Sequence, residues 1–291
     1  MSATLSPALP ETVAVIGGGT MGAGIVQQFL ACGSSAVLVE ATEEAARAGR
    51  ERVAAGLARA RELGKLAVEP ADCLERLVTV LDAAQIPAAA GLVVEAVPER
   101  ADLKAAVLAA AERAVGQGAV LATNTSSLSV SELAAVLSRP GRFLGMHFFN
   151  PVPASKLVEI VRAPETDPEV VEAARGWARA LGKTEVVVRD APGFATSRLG
   201  VALGLEAIRM VEEEVASPAD IDTAMELGYR HPMGPLRLTD LVGLDVRLAI
   251  AEYLAAELGE RFEPPQLLRR MVAEGRLGRK SGQGFHTWDE E

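Results

Sequence analysis

The stretch TVAVIGGGTMGAG, which runs from Thr12 to Gly24, places five glycines directly after a β-branched apolar run. Glycine loses more conformational freedom on folding than any other residue, so such a cluster indicates positions where a side chain would not fit. The run before the glycines predicts a buried strand, and the apolar segment that continues to Ala31 predicts a helix. A strand, a tight turn and a helix in this order are typical of an α/β fold built around a parallel sheet.

Three of the glycines, Gly17, Gly19 and Gly22, have the spacing GxGxxG. Between a strand and a helix, the first glycine allows a tight turn, the second lets the backbone approach a pyrophosphate, and the third lets helix and strand pack closely. Glu40 ends the next predicted strand, where an acidic group can hydrogen-bond ribose hydroxyls. The pattern predicts NAD(H), and a carboxylate there disfavours the 2′-phosphate of NADP(H). The glycines alone leave open a glycine-rich turn in an ordinary α/β protein.

Strand-like runs alternate with alanine-rich helical stretches through the first two thirds of the chain. Strands are predicted at 12–16, 36–40, 91–96, 119–123, 142–148, 156–161 and 184–189. After Asp190 such runs cease, and helices are predicted at 196–215, 218–227, 239–257 and 264–273. The sequence therefore predicts a doubly wound α/β domain over residues 1–190 and an all-helical C-terminal domain over residues 191–291.

The length and charge of the chain limit the classes of function that it can have. A net charge of −10 over 291 residues argues against nucleic acid or an anionic membrane as the main partner. The apolar run over 12–31 is interrupted by glycines and a Gln pair, so it does not predict a membrane span. Cys32 and Cys73 form no CxxC motif and the first ten residues carry no positive charge, so a cytoplasmic protein is expected. No His/Cys cluster has metal-ligand spacing, and no metal is predicted.

His147 is the candidate for chemistry among the three histidines of the chain. It ends a predicted strand, and strand ends are where an open α/β sheet places its site. Glu159, on the next predicted strand, is suited to orient one imidazole nitrogen while the other faces a substrate. A histidine packed in the core is the alternative. His231 and His286 fall in loop-like settings and are interpreted as structural.

The segment ATNTSSL, residues 122–128, follows a predicted strand and is rich in hydroxyl and amide groups. Ser129 with Glu132 forms a capping-box pattern that predicts the start of a helix running to about residue 137. The segment before it either contacts a nicotinamide or a substrate oxygen, or is a polar turn that precedes the helix. Both roles are compatible, because Ser129 provides the cap and leaves Asn124, Ser126 and Ser127 available.

Motifs along nearly the whole chain resemble those of the short-chain 3-hydroxyacyl-CoA and 3-hydroxybutyryl-CoA dehydrogenases. The matching stretches, between residues 13 and 285, include GGGTMGAGI, VVEAVPE, TNTSSLS, GMHFFNPVP, KLVEIV, HPMGPLRLTDLVGLD and LGRKSGQGF. The resemblance implies a Rossmann-like NAD domain and a helical domain that forms a homodimer. It also implies reversible oxidation of an L-3-hydroxyacyl-CoA to the 3-ketoacyl-CoA.

The resemblance also implies roles for individual residues. His147 would take the hydroxyl proton, Glu159 would orient His147, Ser126 would hydrogen-bond the substrate oxygen, and Asn150 would help hold the site together. The cofactor-binding positions that it implies are Gly17, Gly19, Thr20, Met21, Gly22, Glu40, Glu99, Lys104 and Asn124, although Lys104 is alternatively an ordinary solvated helix residue. Arg59 and Lys65 are the positions implied for coenzyme A.

Several positions depart from the family pattern. Ser197 stands where asparagine usually makes a substrate contact, and a hydroxyl is shorter and lacks the paired functions of an amide. Ser155 and Leu205 replace the usual methionine and asparagine, and Glu214 replaces a frequent glycine. Two other functions therefore stay open. One is a dehydrogenase of free hydroxy or sugar acids on the same fold, and the other is an NAD-binding relative without catalysis.

Overall fold

Strand β1 (Thr12–Ile16) and helix α1 (Thr20–Ala31) enclose the glycine turn, as predicted. The computed structural model describes residues 8–288. The other strands in that range are β2 Ser35–Val39, β3 Leu77–Val80, β4 Leu92–Glu95, β5 Val120–Thr123, β6 Phe143–Phe148, β7 Leu157–Arg162 and β8 Thr184–Arg189. The remaining helices before residue 190 are α2 Glu43–Glu62, α3 Pro70–Glu75, α4 Ala101–Ala114, α5 Val130–Ala134 and α6 Pro168–Ala180.

Within residues 8–288 these strands form one sheet in the order β3-β2-β1-β4-β5-β6-β7-β8. Neighbours are parallel, except that β6 and β7 are antiparallel. The strand order reverses between β1 and β4, so their carboxyl ends form the switch point where open α/β sheets bind ligands. The doubly wound α/β fold class is thereby confirmed.

Strand β3 is absent from the predicted strands. Its four residues lie at the edge of the sheet beside β2, and Val78 is 56% exposed. A short edge strand that buries only part of its side chains lacks the continuous apolar pattern of the central strands. Helix α5 is also shorter than predicted, because it ends at Ala134; Ser129 nevertheless caps it by accepting the Glu132 amide at 3.2 Å.

The chain divides into two compact units at the Ala191–Pro192 bond. The core of the first is formed by the central strands and the helix faces against them, including Phe29 of α1 and Trp177 of α6. The second unit contains α7 Thr196–Glu212, α8 Pro218–Tyr229, α9 Pro235–Val242, α10 Leu244–Leu258 and α11 Gln266–Ala273, packed around their own apolar core. Among its described residues, β-type pairing is limited to isolated bridges near the end of the chain.

Several helix boundaries differ from their predicted positions; α7, for example, ends at Glu212 and α9 begins at Pro235. The single helix predicted over 239–257 is two helices, because Gly243 adopts φ +100° between α9 and α10. Gly228 does not follow α8 but lies inside it, and Arg230 is the left-handed residue that ends it. Helix α11 begins at Gln266, two residues after the predicted start, because Pro265 occupies its N-cap.

Glu214 follows helix α7 with φ +57°, a left-handed conformation that disfavours a residue with a Cβ. Glycine has no such penalty, so Glu214→Gly is expected to stabilise the protein by about 1 kcal/mol. Thermal unfolding should show a melting temperature about 2 °C higher. Glu214→Ala is the control, because it removes the carboxylate but keeps the Cβ. An unchanged or lower melting temperature for Glu214→Gly would contradict this prediction.

Candidate active site

The glycines of the turn between β1 and α1 have distinct surroundings. Gly17 adopts φ +98°, and a Cβ there would lie 2.7 Å from the carbonyl oxygen of Ala96. A Cβ on Gly22 would lie 1.7 Å from the Gly17 carbonyl oxygen, so helix and turn could not pack. A Cβ on Gly19 would meet no atom within 4 Å. The first and third glycines thus allow the backbone to close, while the second faces open space.

A cavity of about 710 Å³ lies at this turn, and we term it the glycine cavity. Its walls come from the ends of β1 and β2, the start of α1, and helix α4. The predicted cofactor residues among them are Gly17, Gly19, Thr20, Met21 and Glu40. Its volume is typical of a small-molecule site, and the α1 N-terminus has no side-chain cap, which leaves N–H groups for a phosphate. The residues present therefore fit a dinucleotide.

Glu40 directly follows the second strand, which ends at Val39, one residue earlier than predicted. One of its carboxylate oxygens, Oε1, accepts a hydrogen bond from the amide of Gly18. The adjacent residues, Ala41 to Glu43, supply no cation. The wall of the glycine cavity at this position is therefore acidic, which suits ribose hydroxyls and opposes an additional phosphate.

A second cavity of about 350 Å³ adjoins the first, and we term it the histidine cavity. Met21, Ala96 and Val97 line both cavities. Seven residues predicted from the sequence line it together: Met21, Glu99, Lys104, Asn124, Ser126, His147 and Asn150. These residues come from distant parts of the N-terminal unit and meet at the switch-point edge of the sheet.

His147 and Glu159 are directly opposite each other in the antiparallel β6–β7 pair. Nδ1 of the imidazole lies 2.8 Å from Oε2 of the carboxylate. Glu159 is fully buried and His147 is 7% exposed, so water screens this contact little. A carboxylate in this position fixes the ring orientation, favours the tautomer protonated at Nδ1 and stabilises an imidazolium.

Asn124 connects two strand ends at the floor of the histidine cavity. Its backbone amide donates to the Glu95 carbonyl at 2.8 Å, and its side-chain Oδ1 accepts the Phe148 amide at 2.8 Å. The side-chain carbonyl is thereby engaged with β6, which orients the amide nitrogen of the same side chain. Asn124 is therefore held in one orientation next to His147.

Glu99 organises the polar segment after β5. Its Oε1 accepts hydrogen bonds from the Thr125 hydroxyl at 2.6 Å and from the amides of Ser126 and Ser127 at 2.9 and 3.1 Å. Burial by itself raises the pKa of Glu99, but Lys104, the Thr125 hydroxyl and the Ser126 amide outweigh burial, so its pKa lies below the usual value. An ionised Glu99 thus fixes the loop that presents Ser126.

Lys104 is a buried residue of α4 and not a solvated one, since it is only 1% exposed. Its Nζ lies 2.6 Å from Oε1 of Glu95 and 3.2 Å from Oε2 of Glu99. Thr123 donates to the other Glu95 oxygen at 2.6 Å. The sequence analysis did not single out Glu95 or Thr123. An acidic residue at the end of an apolar strand, as at Glu40, could have indicated Glu95.

Lys183 supports the loop that follows β6 and contains Asn150. Its Nζ donates to the carbonyls of Val152 and Ser155 at 2.6 and 2.8 Å, and the residue is 6% exposed. Burial lowers the pKa of Lys183. Lys183 thus holds the loop against the start of β8, a positioning role that the sequence did not reveal.

The residues predicted for coenzyme A lie apart from both cavities. Arg59 and Lys65, on and just after α2, are exposed, and Arg59 contacts Glu62 at 3.1 Å. A third cavity, of about 300 Å³, lies between α1, α2 and the loop after β6, and its lining includes Asn150 and Arg52. Arg52, which donates to the Gly18 carbonyl at 3.1 Å, was missed in the sequence because it resembles any exposed helical arginine.

In the helical unit, Ser197 lies in the first turn of α7. His286 contacts Asp222 at 2.8 Å, an acidic partner that sequence spacing did not predict. Asp222 also accepts the amides of Leu236 and Arg237, which gives this contact a structural role at the start of α9. Within residues 8–288, no group of three or more His, Cys, Asp or Glu side chains is arranged to hold a metal ion.

Open α/β sheets bind dinucleotides at such a switch point, and the two adjoining cavities have the arrangement that a dinucleotide-dependent dehydrogenase requires. Residues 12–191 match the family model described as 3-hydroxyacyl-CoA dehydrogenase, NAD binding domain, and residues 193–288 match that of its C-terminal domain. The chain belongs to the 3-hydroxyacyl-CoA dehydrogenase family. The resemblance seen in the motifs is confirmed, and NAD is the cofactor.

Individual relatives support this assignment. The chain is 42% identical to the 3-hydroxybutyryl-CoA dehydrogenase of Mycobacterium tuberculosis over 281 residues, which cover 96% of this chain and 98% of the relative. It is 37% identical to the mitochondrial hydroxyacyl-coenzyme A dehydrogenase of Sus scrofa, with 99% and 94% covered. The crystal structure of (S)-3-hydroxybutyryl-CoA dehydrogenase from Ralstonia eutropha superposes with a TM-score of 0.91 at 39% identity, covering 97% of this chain and all of that one.

Across residues 8–288, no helix combines the length and apolar character needed to cross a lipid bilayer.

Proposed function

We propose that this protein reversibly oxidises a short-chain L-3-hydroxyacyl-CoA, of the 3-hydroxybutyryl-CoA type, to the corresponding 3-ketoacyl-CoA. The observation that carries the proposal is the buried His147–Glu159 pair, 2.8 Å apart, in a cavity adjoining the glycine cavity. Family membership supplies the class of reaction, and the pair supplies the acid–base group that such a reaction requires.

His147 is the general base in the direction of oxidation. Because Glu159 contacts Nδ1, the proton of the neutral ring is held there, and Nε2 is the nitrogen that takes the hydroxyl proton of the substrate. Glu159 then stabilises the imidazolium that forms. Ser126 hydrogen-bonds the substrate oxygen, and Asn150 helps hold the site together. NAD, when bound, supplies the hydride acceptor.

The glycine cavity is the proposed NAD site. Gly17, Gly19 and Gly22, with Thr20 and Met21, form the turn that receives the pyrophosphate, and Glu40 hydrogen-bonds the ribose hydroxyls. Asn124 is positioned to contact the nicotinamide side. Glu99 and Lys104 support this site indirectly. Lys104 is buried in an ion pair with Glu95. Glu99 holds the Ser126 loop by accepting its backbone amide.

The remaining assignments concern substrate and assembly. Arg59 and Lys65 are the proposed contacts for the phosphates of coenzyme A on an otherwise acidic protein, and Ser197 replaces the usual asparagine with a single hydroxyl. Residues 1–190 are proposed to bind NAD. Residues 191–291 are proposed to complete the substrate site and to form a homodimer, and the enzyme is proposed to act in the cytoplasm.

The test is NADH consumption by the purified protein with acetoacetyl-CoA, beside free acetoacetate and beside NADPH. Turnover is expected with the thioester and NADH, little with the free acid, and weak turnover with NADPH because Glu40 opposes its 2′-phosphate. Equal rates with free acetoacetate would favour a free hydroxy acid as substrate. NADH binding without any turnover would favour a catalytically silent relative, and Ser197→Asn would then show whether the missing amide is the cause.

A further inference from the structure

Arg52 of helix α2 contacts the glycine turn without lying in the glycine cavity. Its Nη1 donates to the carbonyl oxygen of Gly18 at 3.1 Å. Helix α2 comes close to the turn because Gly49 stands three residues before Arg52, and a Cβ on Gly49 would lie 3.3 Å from Cα of Gly18. Arg52 lines the third cavity but not the glycine cavity. Its contact with the turn is therefore separate from the proposed coenzyme site.

Hydrogen bonds on both sides of its Cα hold Gly18 in place. Its amide donates to Oε1 of Glu40, and its carbonyl oxygen accepts from Arg52. The first bond belongs to the peptide that joins Gly17 to Gly18, and the second belongs to the peptide that joins Gly18 to Gly19. Arg52 therefore holds the second of these peptides, and Glu40 holds the first.

The peptide between Gly18 and Gly19 needs an external contact, because a glycine on each side leaves it free to rotate. Gly19 has φ −63°. Reversal of this peptide would take that φ to a positive value, which glycine tolerates and other residues do not. A glycine at position 19 lets a pyrophosphate come close, but it also allows its own peptide to turn over.

The orientation of this peptide decides which group the glycine cavity presents. The peptide is trans, so its N–H and C=O groups point to opposite sides. While Arg52 holds the carbonyl, the Gly19 amide points the other way, and it donates to no other residue within 8–288. Gly19 lines the glycine cavity. The reversed peptide would instead present a carbonyl oxygen, whose partial negative charge repels a pyrophosphate.

We propose that Arg52 is a positioning residue for coenzyme binding, which holds the Gly18–Gly19 peptide so that the Gly19 amide is available to the pyrophosphate. This inference rests on the proposed NAD site in the glycine cavity. Arg52 acts through the backbone, so it affects the affinity for the coenzyme and not the rate of the chemical step. The pyrophosphate is common to NADH and NADPH, so both coenzymes lose affinity by the same factor when Arg52 is replaced.

The experiment compares the parent protein with Arg52→Met, which removes the hydrogen-bond donors and the charge. Arg47→Met is the matched control, because Arg47 is exposed on the same helix and makes no hydrogen bond within residues 8–288. Glu40→Gln tests the proposed NAD site. Binding of NADH and of NADPH to each protein is measured by fluorescence titration without substrate, in dilute buffer and with about 0.5 M NaCl.

Arg52→Met is expected to raise the dissociation constants for NADH and for NADPH by about tenfold each, so the preference between the two coenzymes does not change. This factor should persist at high salt, because it arises from a direct contact and not from long-range attraction. Glu40→Gln should instead narrow the preference for NADH. Arg47→Met should bind both coenzymes as the parent does.

Steady-state reduction of acetoacetyl-CoA adds a second measurement. In Arg52→Met, KM for NADH should rise, while kcat at saturating NADH stays within about twofold of the parent value. Arg52 is exposed, so the melting temperature without coenzyme should stay within about 2 °C of the parent. A general loss of structure would lower kcat and the melting temperature together, and it would contradict a positioning role.

Three results of the titrations would overturn the proposal. The first is an NADH affinity of Arg52→Met within about twofold of the parent. The second is a loss confined to NADH, which would mean that Arg52 acts through Glu40. The third is a loss that vanishes at high salt, which would mean that its charge acts at a distance.

Failure of the proposed NAD site gives a different result. If neither Arg52→Met nor Glu40→Gln affects coenzyme binding, the NAD site itself is wrong, and the inference is wrong with it. If Glu40→Gln narrows the preference for NADH and Arg52→Met has no effect, only the inference is wrong. The titrations need no turnover, so they decide between these results even if acetoacetyl-CoA is not a substrate.

Discussion

Replacing Glu159 with glutamine is expected to lower kcat by about three orders of magnitude while leaving the affinity for NADH unchanged. The amide keeps the shape of the side chain but cannot stabilise an imidazolium. It can also present its NH₂ group to Nδ1, which would move the ring proton to Nε2 and remove the base from the substrate. The measurement is steady-state reduction of acetoacetyl-CoA, with NADH affinity determined by fluorescence titration.

The control for this variant is Glu165→Gln, which changes an exposed carboxylate just beyond β7. It should retain the parent kcat. His147→Gln should lose a similar factor, and the double variant with Glu159→Gln should lose little more, because the two residues act as one unit. A loss of less than tenfold in Glu159→Gln would remove the pair from the chemistry.

Replacing Lys104 with methionine is expected to cost about 4 kcal/mol of unfolding free energy. The change leaves Glu95, which is fully buried, and Glu99 without their shared cation. Urea denaturation followed by circular dichroism measures the loss. Adding Glu95→Gln to Lys104→Met should recover part of it, because the double variant no longer contains the fully buried unpaired carboxylate. If Lys104→Met is as stable as the parent, the ion pair contributes nothing to folding.

The same cluster predicts how stability depends on pH. Because the pKa of Glu99 is lower in the folded protein than its usual value, its ionised form stabilises the fold. This contribution is complete above the unfolded pKa of about 4.3, and it is lost as the pH falls through the lower folded value. In Lys104→Met the largest favourable charge is gone, so this acid-induced loss should shrink.

The parts of the structure predicted correctly from the sequence depend on local patterns. The glycine turn has its strand, its GxGxxG spacing and the start of its helix close together in the sequence, and Gly17 and Gly22 occupy positions where a Cβ would clash. His147 and Glu159 were paired correctly because they lie on consecutive strands, although the sequence did not show that these strands run antiparallel. The motif resemblance then predicted which other residues meet in the histidine cavity.

The features that were missed depend on tertiary packing. Lys104 lies on a helix whose sequence resembles a solvated one, and only the assembled sheet shows that Glu95 and Glu99 bury it. The break at Gly243 interrupts a continuous apolar pattern, since glycine alone within a helical run does not predict a positive φ.

The antiparallel β6–β7 pair carries the residues proposed for proton transfer, whereas the proposed NAD site is built from other parts of the chain. His147 and Glu159 lie on the two strands of one hairpin, so their contact forms with a small loop-closure entropy. The glycine cavity, the proposed NAD site, instead draws its lining from separate elements, among them β1, β2 and α4, between Ile16 and Ala110. Substitutions of Glu40 that change the preference between NADH and NADPH are therefore expected to leave the β6–β7 register unchanged. We therefore expect coenzyme preference and the proposed proton transfer to be alterable by separate sets of substitutions.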